Sequence, residues 1–416
     1  MRRIIIENKA FVKQYSQDGT ALTYTNLAMM TVAGIFLPYV LAGSILIMAA
    51  MYILINRQTR QILILHKDAT FVFVFLGFVQ IVSALHGNWY GMAAGFGFTL
   101  ALILGIFWYQ IMTEELFEKT LTLICVFSML GSVYAIFEKI IMIEFPGYYN
   151  YERVCSTFFY PNYFGTVSAT VILICVYKML TNKDNRSLFL VIIIFNIFNI
   201  YLCESMFAWI EVFTGTALLL FLMKKYRILG YWVGLAFIGG FLMLILNIDL
   251  IPRLSEAGTT LNMRFKIWEK ALMLIKQAPL FGEGPMAFAF KTKQMGNRIP
   301  HSHNFILESL LNYGIIGSLG ILFFSIKYLY YVCKTCFKEK RSNITSLILA
   351  VIFAAVIHGL TDNTLMWVQT LPLFIFLLAG YGAFKEKEVM QVSEMFSLSQ
   401  LNKNLGLSFY TKSNQI

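Results

Sequence analysis

Apolar runs long enough, or nearly long enough, to cross a bilayer recur along the whole chain, and only one long hydrophilic stretch, roughly Asp249 to Asn304, interrupts them. A bilayer core of about 30 Å takes about 20 helical residues. Tyr24 to Ile55 as one helix would measure ~48 Å at 1.5 Å per residue, so it reads as two short spans broken near Pro38. Further apolar runs cover Ala69 to Leu85, Gly91 to Met112, Leu116 to Ile141, Asn162 to Leu180, Leu188 to Leu202, Met206 to Met223 and Leu229 to Ile248. After the hydrophilic stretch come Phe305 to Val332, Ile344 to Leu360 and Leu365 to Phe384. The expected fold is an all-α polytopic membrane protein of about 12 transmembrane helices. With 58% hydrophobic and 13% charged residues and a mean hydropathy of +0.68, the chain is too apolar to cover itself with a water-compatible surface.

The net charge of +11 raises the question of a nucleic-acid partner. The positions of the basic residues answer it, because they sit at span ends. Arg2, Arg3, Lys9 and Lys13, then Arg57, Arg60 and Lys67, Lys183 and Arg186, Lys224, Lys225 and Arg227, Lys334, Lys338, Lys340 and Arg341, and Lys385 and Lys387 fall on alternate loops. The positive-inside rule then sets both termini in the cytoplasm and the hydrophilic stretch outside. The expected layout is a cytoplasmic N-terminus (1–23), a bundle of about nine spans (24–248), a large extracytoplasmic loop (249–304), about three more spans (305–385) and a cytoplasmic tail (386–416). Residues 1–18 lack the compact apolar region and cleavage site of a signal peptide. The six cysteines form no disulfide framework, and Cys333 and Cys336, though spaced CxxC, lack a second ligand pair.

Charge is scarce within the spans, so the polar chemistry is expected at the outer face. Inside the large loop Leu261, Phe265, Trp268, Leu272 and Ile275 recur at helical spacing, predicting an amphipathic interfacial helix that rests Trp268 at the headgroup boundary. On that helix Arg264 either presents its guanidinium to a phosphate or snorkels to lipid headgroups. Gly282, Gly284 and Pro285 end the helical pattern, and Lys291, Lys293 and Arg298 follow. His301, His303 and Asn304 then precede a span containing Gly314 and Gly317, which permit close backbone packing. The two histidines are candidates for metal ligands without an evident third, for a neutral general base, or for hydrogen-bonded interfacial residues. Glu211, inside a predicted span, and His358 and Asp362, on the last outer turn, are weaker candidates.

These residues resemble the O-antigen ligase and O-antigen polymerase family of bacterial envelope glycan enzymes. His303 and Asn304, nine residues, then Gly314, two residues and Gly317 follow the family's pattern. RFKIWEKALMLIKQAPLFGEGPMAF is similar to the family's Arg, Trp, hydrophobic helix and Gly-x-Gly run, and RVCSTFFYPNYFG to its outer segment ending in Pro-Asn. Two positions depart from it: Ser318 and Leu319 follow Gly317 where Thr-Gly is common, and Met206 stands where an Arg is common. The resemblance implies transfer of a glycan from a polyprenyl diphosphate carrier to a hydroxyl acceptor at the outer face, without metal or cofactor. It implies His303 as the base and Arg153 and Arg264 as diphosphate ligands; Asn162, Trp268, Arg298 and His301 are candidates for further substrate contact, and Asn304 is a candidate either for binding sugar or for orienting the imidazole. The leading expectation is a polymerase of a surface polysaccharide. A ligase passing finished glycan to a lipid or protein is the first alternative, and a transporter of lipid-linked oligosaccharide the second. The expected partners are the lipid-linked donor, the acceptor, membrane lipid and other polysaccharide-assembly proteins.

Overall fold

The computed structural model describes residues 20–64, 69–147, 153–182, 184–246, 251–296, 299–338 and 343–384. Arg298, the first 19 residues, the first two residues of the hydrophilic stretch and the 386–416 tail therefore lie outside the described residues. The described residues form helices and no strand. In chain order the helices are α1 (Thr20–Gly34), α2 (Tyr39–Ile55), α3 (Arg57–Ile64), α4 (Ala69–Leu85), α5 (Trp89–Ile111), α6 (Glu114–Glu144), α7 (Pro161–Thr181) and α8 (Arg186–Leu202). They continue with α9 (Met206–Leu222), α10 (Tyr226–Leu246), α11 (Ala257–Ile275), α12 (Ala287–Gln294), α13 (Phe305–Lys338), α14 (Asn343–Gly359) and α15 (Thr370–Ala379).

Five of these helices are long and apolar enough to cross a membrane by length and composition, six if the α2–α3 pair, bent by 94°, is one span. α4, α8, α9, α14 and α15 are apolar but shorter. The break near Pro38 separates α1 from α2, with Pro38 as the residue before the helix. The last expected span starts later than its hydropathy suggests, at Thr370 rather than Leu365. Residues 361–369 precede it outside any helix, and Gln369 Nε2 donates to the carbonyls of Ile35 and Leu37, 2.9 Å each.

α7 is the hub, buried along nearly its whole length and packed on α8, α9 and α14. In an apolar surrounding, side-chain amides and hydroxyls bind across helices. Asn196 and Asn199 of α8 donate to Ser128 (3.1 Å) and Ser132 (2.8 Å) of α6. The outer segment before α7 is fixed by Glu138 of α6, whose carboxylate accepts from the backbone N–H groups of Cys155 (3.1 Å) and Ser156 (2.6 Å). Pro161 then opens α7 at its first turn, where a missing N–H costs nothing.

α13 is broken at Gly314, whose φ of 62° and ψ of −171° are open only to glycine. The break would orphan the carbonyls of Leu311 and Asn312 and the N–H groups of Ile315 and Ile316. The turn between α11 and α12 pairs all four. Glu283 and Gly284 donate to Leu311 and Asn312, at 3.0 and 2.9 Å, while Ile315 and Ile316 donate to Pro279 and Leu280, at 2.9 and 3.1 Å. A Cβ on Gly314 would lie 2.3 Å from the Leu280 carbonyl carbon, and one on Gly282 2.6 Å from the Gly314 nitrogen. Close backbone approach at Gly314 is thus made by this turn at a helix break, while Gly317 remains helical against Tyr313 and Phe75. The docked turn fixes the stretch carrying Arg264 to the helix that follows His303.

Candidate active site

The site gathers around Asp362, in the turn between α14 and α15. Its Oδ1 lies 3.0 Å from His303 Nδ1 and 3.7 Å from His301 Nδ1, and it accepts from the N–H of Asn363 at 2.8 Å. Its Oδ2 accepts from Asn162 Nδ2 at 2.5 Å and lies 3.6 Å from Arg264 Nη2. Asn162, at the second position of α7, receives Arg153 Nη2 on its Oδ1 at 2.6 Å, and Arg153 Nε donates to the Cys203 carbonyl at 2.9 Å. Asn162 therefore links one arginine to the carboxylate that pairs with the other.

Arg264 corrects one sequence alternative. The helical pattern admits a guanidinium snorkelling to headgroups, but Arg264 is only 7% exposed and turns inward with Ala271 and Leu274, while Leu261, Phe265 and Leu272 are exposed. Its carbon Cζ lies 5.6 Å from the centre of the Phe207 ring, and its Nε and Nη1 have no hydrogen-bond partner among the described residues. A buried guanidinium with unused donors is able to take a further acceptor, such as a phosphate oxygen.

His303 adopts a left-handed backbone (φ 53°), which turns the chain sharply just before α13. The turn is braced by its neighbours: the His303 N–H donates to His301 Nδ1 at 3.3 Å, Trp268 Nε1 donates to the His303 carbonyl at 3.4 Å, and the Ser302 N–H donates to Glu308 at 2.8 Å. Asn304 caps α13, its Oδ1 accepting from Ile306 and Leu307 at 3.0 Å, and donates through Nδ2 to the Leu360 carbonyl at 2.9 Å. Its amide is committed to the backbone on both sides.

Burial alone would raise the Asp362 carboxyl, but the hydrogen bond and charge of His303, with His301 and Arg264, hold it well below the usual carboxylate range. Burial pushes His301 down to about 3, against the attraction of Asp362 and with help from His303 and Arg264. Asp362 is thus an anion and His301 a neutral ring at working pH. With Asp362 on Nδ1, the His303 ring keeps Nε2 for a proton in transit, the arrangement of a base oriented by a carboxylate. His301, His303 and Asp362 also offer three ligand atoms within 4.8 Å of one another, the spacing of a metal site. Those atoms are already used: His301 Nδ1 accepts an N–H, His303 Nδ1 faces the carboxylate, and the Arg264 cation stands beside the same carboxylate. The donor set suits an acid–base centre better than a divalent cation.

Of the sequence candidates, His303, His301, Arg264, Asn162, Arg153 and Trp268 come together, Asn304 flanks them, and Gly314 supports the turn behind them. Asp362 is the member that motif spacing underrates. Its signal was present, since it is the lone acidic residue between Asn343 and Phe384, and an isolated charge among apolar spans marks function.

Residues 166–322 match the family described as O-Antigen ligase. An uncharacterized protein of Haemophilus influenzae is 31% identical over 97 residues, 21% of this chain and 24% of that protein. The chain therefore aligns with about a quarter of that relative's length. The matched stretch contains Arg264, His303 and Gly314, the residues on which the motif reading rests, and through residues 166–322 this chain is similar to the O-antigen ligase family.

Proposed function

We propose that the protein is a polymerase of a surface polysaccharide, joining glycan from a polyprenyl diphosphate carrier to a carrier-linked acceptor at the outer face of the cell membrane. The family domain supports glycan transfer of the O-antigen ligase or polymerase type. The observation that carries the mechanism is the His303–Asp362 pair at 3.0 Å with the Arg264 guanidinium beside it. The acceptor hydroxyl oxygen attacks the anomeric carbon while His303 Nε2 takes its proton. The bond from that carbon to the diphosphate oxygen breaks, and the carrier diphosphate leaves with the electron pair. Asp362 stabilises the imidazolium formed. Arg264 and Arg153 meet the negative charge developing on the diphosphate, which removes the need for a metal. Direct displacement inverts the anomeric centre.

This reading includes twelve crossings, with 249–304 and the 360–369 turn on the outer side and both termini in the cytoplasm. The shorter apolar helices then cross as part of a packed bundle. Ligation to a lipid or protein acceptor is the second reading, favoured by the family's description.

Purified protein in vesicles with a polyprenyl diphosphate-linked repeat unit is expected to yield a ladder of longer carrier-linked chains. His303→Ala should insert normally and lose at least about a hundredfold in transfer, the contribution of a positioned base. Single additions to a lipid core, without a ladder, would replace polymerase by ligase. Unchanged transfer in His303→Ala and Arg264→Ala would end the mechanism.

A further inference from the structure

Behind Asp362 lies a second polar layer that the proposed reaction does not use. His358, at the end of α14, has its Nδ1 2.7 Å from Glu211 Oε2 of α9 and 2.8 Å from Thr166 Oγ1 of α7. Thr166 Oγ1 is also 3.0 Å from Thr364 Oγ1. All four side chains are at most 3% exposed. A buried carboxylate and imidazole among apolar helices are expensive to keep, and they persist where they hold something in place.

What they hold is the turn that carries Asp362. The His358 carbonyl accepts from Thr361 N–H, Thr361 Oγ1 and Asp362 N–H, each at 3.0 Å. Asn162 and Thr166 are one helical turn apart on α7 and so share a face. Asn162 grips the Asp362 carboxylate while Thr166 contacts the ring of His358 and the hydroxyl of Thr364. The 358–364 turn is therefore clamped at both ends on one face of α7, and Glu211 closes the clamp from α9. Rotation of the His358 ring would loosen the turn whose carboxylate sets the His303 tautomer.

We propose that Glu211 and His358 form a positioning pair, acting through the 358–364 turn to keep Asp362 against His303. The inference rests on the transfer reaction proposed above for its kinetic readout. It also has a readout that does not need the reaction, the ring-nitrogen signals of His303 in ¹⁵N-histidine-labelled protein.

Glu211→Gln keeps shape and removes charge. It should lower kcat about tenfold, leave the donor KM within about twofold, and shift the His303 signals. In an Asp362→Asn background it should cost less than about twofold, because groups acting through one residue are not additive. His358→Asn, which keeps a donor near the Nδ1 position, should retain most activity where His358→Ala does not. Equal fold losses in both backgrounds, a loss confined to KM, or unmoved His303 signals would each overturn the pair's role. A variant with poor yield leaves His358→Asn and the spectra to decide. Absence of transfer in wild-type protein would sink the transfer reading alone, and the His303 signals would then judge the pair.

Discussion

Arg264, His301 and His303 reach the site along one stretch of chain, residues 264–303, whereas Asn162, Glu211, His358 and Asp362 arrive from α7, α9, α14 and the turn that follows it. The two sides differ in their chemistry as well as their origin. On the first side hydrogen-bonding capacity is left over: Arg264 Nε and Nη1 are unpaired among the described residues, and His303 keeps a side-chain exposure of 14%. On the second, both Asp362 oxygens are engaged and the surrounding polar side chains bind one another, although His358 Nε2 is unpaired among the described residues. One side is built to meet a substrate and the other to hold a shape. Each side therefore has its own signature on substitution.

The largest effect is expected where the two sides touch. Asp362→Asn keeps the hydrogen bond from Asn162 feasible but removes the charge that orients and stabilises the His303 imidazolium. Transfer should fall by about 10² to 10⁴, and His303→Ala added to it should cost little more, since base and orienter act as a unit. Steady-state transfer from a lipid-linked donor measures both. Activity within about twofold of wild type in Asp362→Asn would reduce the buried side to scaffold and break the comparison.

The same division explains what could be read in advance. The helices follow from hydropathy, one standing at each of the apolar runs, because burial of apolar surface and internal backbone pairing depend on local composition. His303, Arg264 and the Gly-x-Gly turn are also local: their spacing is set by one helix and one turn. The Asp362 clamp is not. Its members are up to 200 residues apart in the Asn162–Asp362 bond, so no window of sequence contains them, and only packing of α7 against α9 and α14 unites them. The late start of α15 escaped for the same reason, since Gln369 binds carbonyls more than 330 residues away.

A smaller effect tests the support behind the first side. Gly314→Ala would put a Cβ 2.3 Å from the Leu280 carbonyl carbon in a backbone region closed to alanine. It should destabilise by about 2–4 kcal/mol, read as a fall in the melting temperature in detergent. The four backbone hydrogen bonds that join 279–284 to α13 should loosen first, as faster hydrogen exchange at Glu283, Gly284, Ile315 and Ile316. Wild-type melting and exchange would mean that the turn does not depend on the break. Asn304→Ala should cost less, about 1 kcal/mol, the usual value of an N-cap. The donor KM should stay unchanged, because the Asn304 amide is bound to the backbone rather than left for a ligand. A rise in KM several times larger than the loss in kcat would return Asn304 to the substrate side.

The finest distinction concerns His301, which comes from the first side by sequence but is buried like the second. Its folded pKa is about 3, below the ordinary histidine value, because burial disfavours the charged ring. On acidification the unfolded chain binds a proton that the folded protein refuses, so this residue takes stability away as pH falls from about 6.5 toward 3. Between pH 7 and 6 the loss is about 0.7 kcal/mol by that linkage. His301→Gln, unable to titrate, should flatten the pH dependence of the melting temperature over this interval while leaving its value at pH 8 nearly unchanged. An undiminished slope in the variant would assign the acid sensitivity to other groups.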